Sequence, residues 1–429
     1  MKLFPLCLLL GLATSACAQG PVKVTVRQNK GSYSLLRDGQ PYYVKGAGGS
    51  AYPGRIKAYG GNSIRTWGTR GARQVLDSAQ KYGLTVLLGL DVARERHGFD
   101  YNDTAAVRKQ LERLRGEVLQ YKDHPALLAW GIGNELNLQY TNPKVWNAVN
   151  DISKMIHALD PNHPTTTVLA GISKPVADYV KERCTDIDLL SINAYGELAS
   201  LPETIARVGW TGAYLVTEWG PTGHWECLQT AWKQPIEETS SEKAAVYRSR
   251  YLYGIASDRA KCLGSYVFLW GQKQERTPTW YGLFTEKGEE TEVTDAMQYL
   301  WSGRWPRNHA PHLFSMELDG RRADESIYLK PGQAYRVQAA ATDPDGDRLQ
   351  YRWELLPEVV KVSEGGDHED RPKATASPFR IQHPGAVLLT VPTKPGAYRV
   401  FVYASDGKNK VATANIPFFV QDGGQPAGR

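Results

Sequence analysis

Two glutamates stand out by where they lie. Glu135 closes the apolar run LLAWGIGNE (127–135), directly after Asn134, and Glu218 falls late in AYLVTEWG (213–220), between Thr217 and Trp219. A lone charge in such a setting is costly, so two of them ask for a reason. Two carboxylates brought together can divide one task. One donates a proton to a leaving oxygen, and the other attacks an anomeric carbon or activates water. Neighbouring Trp offers a rigid plane on which a sugar ring can lie. Other chemistries find less support. The five Cys and nine His contain no C-x-x-C or H-E-x-x-H spacing, so no metal and no cofactor is expected. Gly46–Gly49 and Gly131–Gly133 are glycine-rich but lack G-x-G-x-x-G, which argues against a phosphate cradle.

For the two glutamates to meet, the chain must bring distant segments to one place. Short apolar runs at 42–48, 62–68, 84–92, 127–135, 165–171, 187–195, 213–220 and 263–271 read as buried strands. Helical periodicity lies between them, at 72–82, 105–122, 145–159, 175–183 and 241–261, with a last helix at 295–301. Eight strands alternating with helices predict an α/β fold, a closed (β/α)8 TIM barrel, and the working face of that fold is the C-terminal end of its strands. Asn134-Glu135 and Thr217-Glu218-Trp219 then end strands four and seven. Arg65 and Trp67 end strand two, Tyr195 strand six and Trp270 strand eight.

The remaining sequence sets the context. The 429 residues divide into a leader (1–18), a β-hairpin (19–41), the barrel (42–307) and a small all-β sandwich (308–429). The leader has a basic start and an apolar core of export-signal length. It ends in Ala16-Cys17-Ala18, which reads as a plain cut, or as a lipidated Cys17 that would tether the chain to a membrane. Periplasmic, cell-surface or secreted placement is therefore expected. A net charge of +6 without long like-charge runs gives no reason to expect a nucleic-acid partner. Of twelve Trp, all but Trp353 precede the sandwich.

Trp130-Gly131-Ile132-Gly133-Asn134-Glu135-Leu136 resembles the strand-four motif of clan A retaining glycoside hydrolases, and Val216-Thr217-Glu218-Trp219-Gly220 resembles their strand-seven motif. Asp38–Gly46 and Asn62–Trp67 look like the entries to strands one and two of the barrel in glycoside hydrolase family 2, with family 5 as a relative. The resemblance implies a retaining hydrolase of β-linked poly- or oligosaccharides, which the leader would export. Glu135 would be its acid/base and Glu218 its nucleophile, with the carboxyls ~5–5.5 Å apart. It further implies that Asn134 binds the sugar 2-hydroxyl, that Arg65 keeps Glu218 ionised, that Tyr195 orients it, and that Trp270 is the floor under the sugar.

Trp67 and Trp219 are further candidate sugar contacts, with Trp225, Trp280 and Tyr281. Glu226 and Glu275 are extra acids on loops. Transglycosylation with the same residues, or glycan binding without catalysis, are the alternatives. Ala341–Trp353 resembles PKD-like and cadherin-like modules, where Asp343, Asp345 and Asp347 fit an Asp/Gly-rich turn or, as the alternative, calcium ligands.

Overall fold

The computed structural model describes residues 20–363, 365–376 and 379–421. The leader, Cys17 and the tail 422–429 lie outside the described residues. No helix among them is long and apolar enough to cross a membrane, and Cys184, Cys227 and Cys262 are all free thiols.

The chain opens with β1 (Val24–Asn29), β2 (Ser32–Arg37) and the short β3 (Gln40–Pro41), an antiparallel sheet turning at Lys30-Gly31. Eight parallel strands follow: β4 (Val44–Gly48), β5 (Ser63–Arg65), β6 (Thr85–Leu90), β7 (Leu127–Ile132), β8 (Thr165–Ala170), β9 (Leu189–Asn193), β10 (Tyr214–Trp219) and β11 (Cys262–Val267). They close on one another in chain order, β11 pairing with β4. Helices alternate with them: α1 (Pro53–Ala58), α2 (Ala72–Lys81), α3 (Thr104–Tyr121), α4 (Lys144–Leu159), α5 (Lys174–Arg183), α6 (Leu201–Arg207), α7 (Ser240–Arg250) and α8 (Glu292–Ser302). This is the TIM barrel that the alternation implied.

Local chemistry starts these helices where they start. Asp103 caps α3 by accepting the N–H groups of Ala105 and Ala106, both at 3.0 Å. Thr239 and Glu242 form a reciprocal capping box at α7. The sequence reading lacked α1 and α6. Both are short and begin at or next to a proline, Pro53 and Pro202, too brief to show a period.

The opening sheet plugs the bottom of the barrel. Val24 and Leu35 pack with Leu87, Leu128, Leu189, Leu215 and Leu263 in one buried cluster. Each such side chain contributes roughly 1.5–3 kcal/mol on full burial. With the bottom sealed, the top is where a ligand enters.

The C-terminal module holds β12 (His312–Leu318), β13 (Ile327–Leu329), β14 (Ala334–Thr342), β15 (Gln350–Pro357), β16 (Phe379–His383), β17 (Ala386–Thr390), β18 (Gly396–Ser405) and β19 (Val411–Val420). They form two four-stranded sheets around a core that includes Leu318, Val337, Val400 and Phe418. In the Asp/Gly-rich segment, Asp343 Oδ1 accepts the N–H groups of Asp345 and Asp347, which makes a turn. The module is fastened to the barrel by backbone as well as side chains. Glu290 N–H donates to the Asn409 carbonyl, and Val411 N–H donates back to the Glu290 carbonyl, each at 2.9 Å.

Candidate active site

Strand ends bring the two glutamates to one cavity of about 360 Å³ at the top of the barrel, lined by Glu135, Glu218, Asn134, Trp67 and Tyr195. That is near the lower end of the ~300–1,000 Å³ usual for small-molecule sites. The backbone is shaped for this. Gly133 turns with φ 71° just past β7, and Glu135 itself is left-handed at φ 55°. A non-glycine residue rarely adopts that conformation, and functional positions are where it persists. Gly89 supplies a second fit. A Cβ there would lie 2.5 Å from the Thr66 carbonyl oxygen, so only glycine lets the segment carrying Trp67 approach β6.

Glu218 is 6% exposed and well supplied with donors. Its Oε1 accepts from Arg65 Nη1 at 2.9 Å and from Trp67 Nε1 at 2.6 Å. Among the described residues, its Oε2 accepts only a longer bond, from the Tyr195 hydroxyl at 3.2 Å. Arg65, 2% exposed, is fixed in turn by the Thr217 carbonyl at 2.7 Å and by Asn134 Oδ1 at 2.5 Å. Charge-assisted bonds of this kind are roughly twice as strong as neutral ones.

Glu135 has one such partner, Asn193 Nδ2 at 2.9 Å on Oε1. Burial, and after it the charge of Glu218, push its carboxyl up from the usual 4.5 to about 7. Asn193 is held by Thr217 Oγ1, which donates to its Oδ1 at 2.9 Å. Because Asn134 Oδ1 is taken by Arg65, the N–H group of its side chain is left as the donor available to a ligand.

The structure thus gathers Glu135, Glu218, Asn134, Arg65, Tyr195 and Trp67. Two candidates are corrected. Trp219 is fully buried against Tyr247 of α7 and against Tyr251, on the side of β10 opposite its neighbour Glu218. Trp270 is also fully buried, packed on Trp301 of α8 and on Phe284. The chain has left β11 by then, and its backbone N–H bonds to the Gly48 carbonyl. Phe268 and Leu269 line the cavity in its place.

Among the weaker candidates, Trp225, Tyr281 and Glu275 line the cavity, whereas Trp280 is buried and donates to the Thr222 carbonyl. Glu226 ties a loop, accepting the N–H groups of Gly196 and Gly223. Arg94, Lys273, Asn193 and the module's Gly365–Asp367 were not anticipated in the site. Only Asn193, beside Tyr195 at a strand end, carried a signal.

Residues 55–221 match the family model described as glycosyl hydrolases family 2, TIM barrel domain. A mannan endo-1,4-beta-mannosidase F from Aspergillus clavatus is 26% identical over 151 residues, 31% of this chain and 34% of that protein. Among solved structures, a Bacteroides uniformis beta-glucuronidase superposes with a TM-score of 0.52 at 15% identity, covering 93% of this chain and 48% of that one. A beta-galacturonidase from Eisenbergiella tayi does so at 0.51 and 15%, covering 66% and 54%. At such identity the likeness to solved structures is one of fold. These findings define a TIM-barrel fold in which residues 55–221 are similar to the barrel domain of glycosyl hydrolases family 2. The chain spans about a third of the curated relative and about half of the solved chains.

Proposed function

We propose that the chain is an exported, retaining β-glycosidase acting on an oligo- or polysaccharide, with Glu218 as nucleophile and Glu135 as acid/base. One observation carries the reading. Two carboxylates share one cavity in unlike surroundings, Glu218 met by three side-chain donors and Glu135 by one amide, with the Glu135 carboxyl raised to about 7. Arg65, Trp67 and Tyr195 donate to Glu218 and hold its carboxyl in one orientation. Glu135 is held by burial in the protonated form needed to donate to a leaving oxygen.

The bonds also select the attacking atom. Glu218 Oε1 is engaged by Arg65 and Trp67, so Oε2, with its single longer bond to Tyr195, attacks the anomeric carbon. The bond from that carbon to the leaving oxygen breaks as Glu135 delivers its proton. A glycosyl ester on Glu218 results. The ester carries no charge, so one of the two causes raising the Glu135 pKa disappears. Glu135 then becomes the base that takes a proton from water, and the second displacement restores the original anomeric configuration. The Asn134 N–H group would donate to the 2-hydroxyl during both steps. The leader and its Ala16-Cys17-Ala18 site support export, and a lipidated Cys17 would tether the chain to a membrane.

The test is a panel of β-linked glycans with NMR of the first-formed anomer. Glu218→Ala is expected to abolish turnover, and the wild type to release the β-anomer first. Tight glycan binding without cleavage by the wild type would instead identify a binding protein. Transfer to added sugar in preference to water would identify a transglycosylase.

A further inference from the structure

The rim of the cleft is uneven. β4 and β5 pass to α1 and α2 through residues 49–52 and 66–71 only, whereas the segments after β6 and β11, 91–103 and 268–291, are longer. The wall over β4 and β5 is therefore low, and another part of the chain completes it. Gly365, Gly366 and Asp367, between β15 and β16 of the module, line the same cavity as Glu135 and Glu218.

This segment is tied on both sides. Asp367 Oδ2 accepts from Arg96 Nη1 at 3.0 Å and lies 3.1 Å from His97 Nε2, both in the segment after β6. Lys273, after β11, donates to the Gly366 carbonyl at 2.6 Å, and Arg276 N–H donates to Glu369 Oε2 at 2.7 Å. The fit is close. Gly365 and Gly366 are left-handed at φ 59° and 74°, and a Cβ on Gly365 would stand 2.7 Å from Arg96 Nη2. On the other side the link after β8 is only 171–173. Beside Tyr195, Trp225 is 57% exposed at the cavity edge, its ring 5.4 Å from the tyrosine ring.

We propose that Gly365–Asp367 of the C-terminal module form the blind end of the substrate cleft, so that the barrel takes the terminal sugar of a chain and the remainder leaves past Trp225. This rests on the assignment of Glu135 and Glu218 as the glycosidase pair. Glu135 lies just past β7, next in the barrel to the open side over β8, so an acid placed there protonates an oxygen on the leaving side. Asp367 Oδ1, used by neither Arg96 nor His97, is an acceptor for a hydroxyl of the terminal sugar.

The experiment uses the full chain with reducing-end-labelled β-linked oligosaccharides and 4-nitrophenyl β-glycosides. The wild type should shorten the labelled chains one sugar at a time. Asp367→Ala should raise KM by about tenfold or more with kcat within about threefold, the pattern of lost binding and not lost chemistry. Arg96→Ala should do the same through the freed segment, with partial recovery in Arg96→Lys. Excision of 365–367 should introduce internal cuts. Internal cuts by the wild type from the outset, or an unchanged KM in Asp367→Ala, would overturn the blind end and leave the carboxylate assignment standing. Full activity in Glu218→Ala would overturn that assignment itself.

Discussion

Glu237 and Glu135 are carboxylates drawn away from bulk water, Glu237 buried at the seam between barrel and module and Glu135 half-buried in the barrel mouth. Glu237 is met on every side. Lys243 Nζ and Thr277 Oγ1 each donate at 2.6 Å, and Asn415 of the module donates at 2.7 Å. Burial alone would raise its carboxyl, but Lys243 and these bonds outweigh burial and hold it below the usual range. Glu135 has one amide donor and a like charge nearby, and its carboxyl rises to about 7. A fully compensated charge fastens two parts of the molecule. An undercompensated one keeps a proton that can be given away near neutral pH.

Substitutions should separate the two directly. Glu218→Gln should lower kcat by on the order of 10⁴-fold or more, because it removes a covalent nucleophile, with little loss of melting temperature. Glu237→Gln should do the reverse. It leaves Lys243 buried without its charge partner, at a cost of about 3–5 kcal/mol of stability in a thermal or urea melt, while kcat of the folded fraction is kept. Trp67→Phe should lie between them. It deletes one bond to the charged Glu218, worth roughly 1.5–3 kcal/mol, and should appear in kcat/KM. Trp270→Phe should change stability and leave KM alone, since its ring packs on Trp301 away from the cavity.

The smallest effect concerns pH and stability. Glu135 has a folded pKa raised from 4.5 to about 7, so its contribution is present below about pH 4.5 and lost as pH climbs towards 7. Glu135→Gln should therefore gain on the wild type in melting temperature between pH 5 and 8. The basic limb of the kcat/KM profile, near pH 7 in the wild type, reports the same group.

Much of the barrel was legible because strands buried on both faces, such as 127–132 and 214–219, read as unbroken apolar runs. That same feature hid which way each side chain points. Glu218 and Trp219 are neighbours in one apolar run, yet one faces the cavity and the other faces α7. Trp270 was misread for a related reason, since the chain stops alternating after Val267. Arg65, Asn134 and Tyr195 were legible because polar groups at strand ends have few other reasons to be there. The polar stretch from 364 to 372 read as a loop, but its arrival over the cleft depends on docking across the Glu237 and Glu290 seams. Contacts between residues so far apart in sequence leave no local pattern.

The most direct test of the central claim is to trap the intermediate. The wild type is incubated with a panel of activated 2-deoxy-2-fluoro β-glycosides, digested and mapped by mass spectrometry. One glycosyl increment on the peptide carrying Glu218, with activity lost in step, is the expected result. An increment on the peptide carrying Glu135 or Glu275, or steady turnover of the matching glycoside with no labelled peptide, would contradict the account.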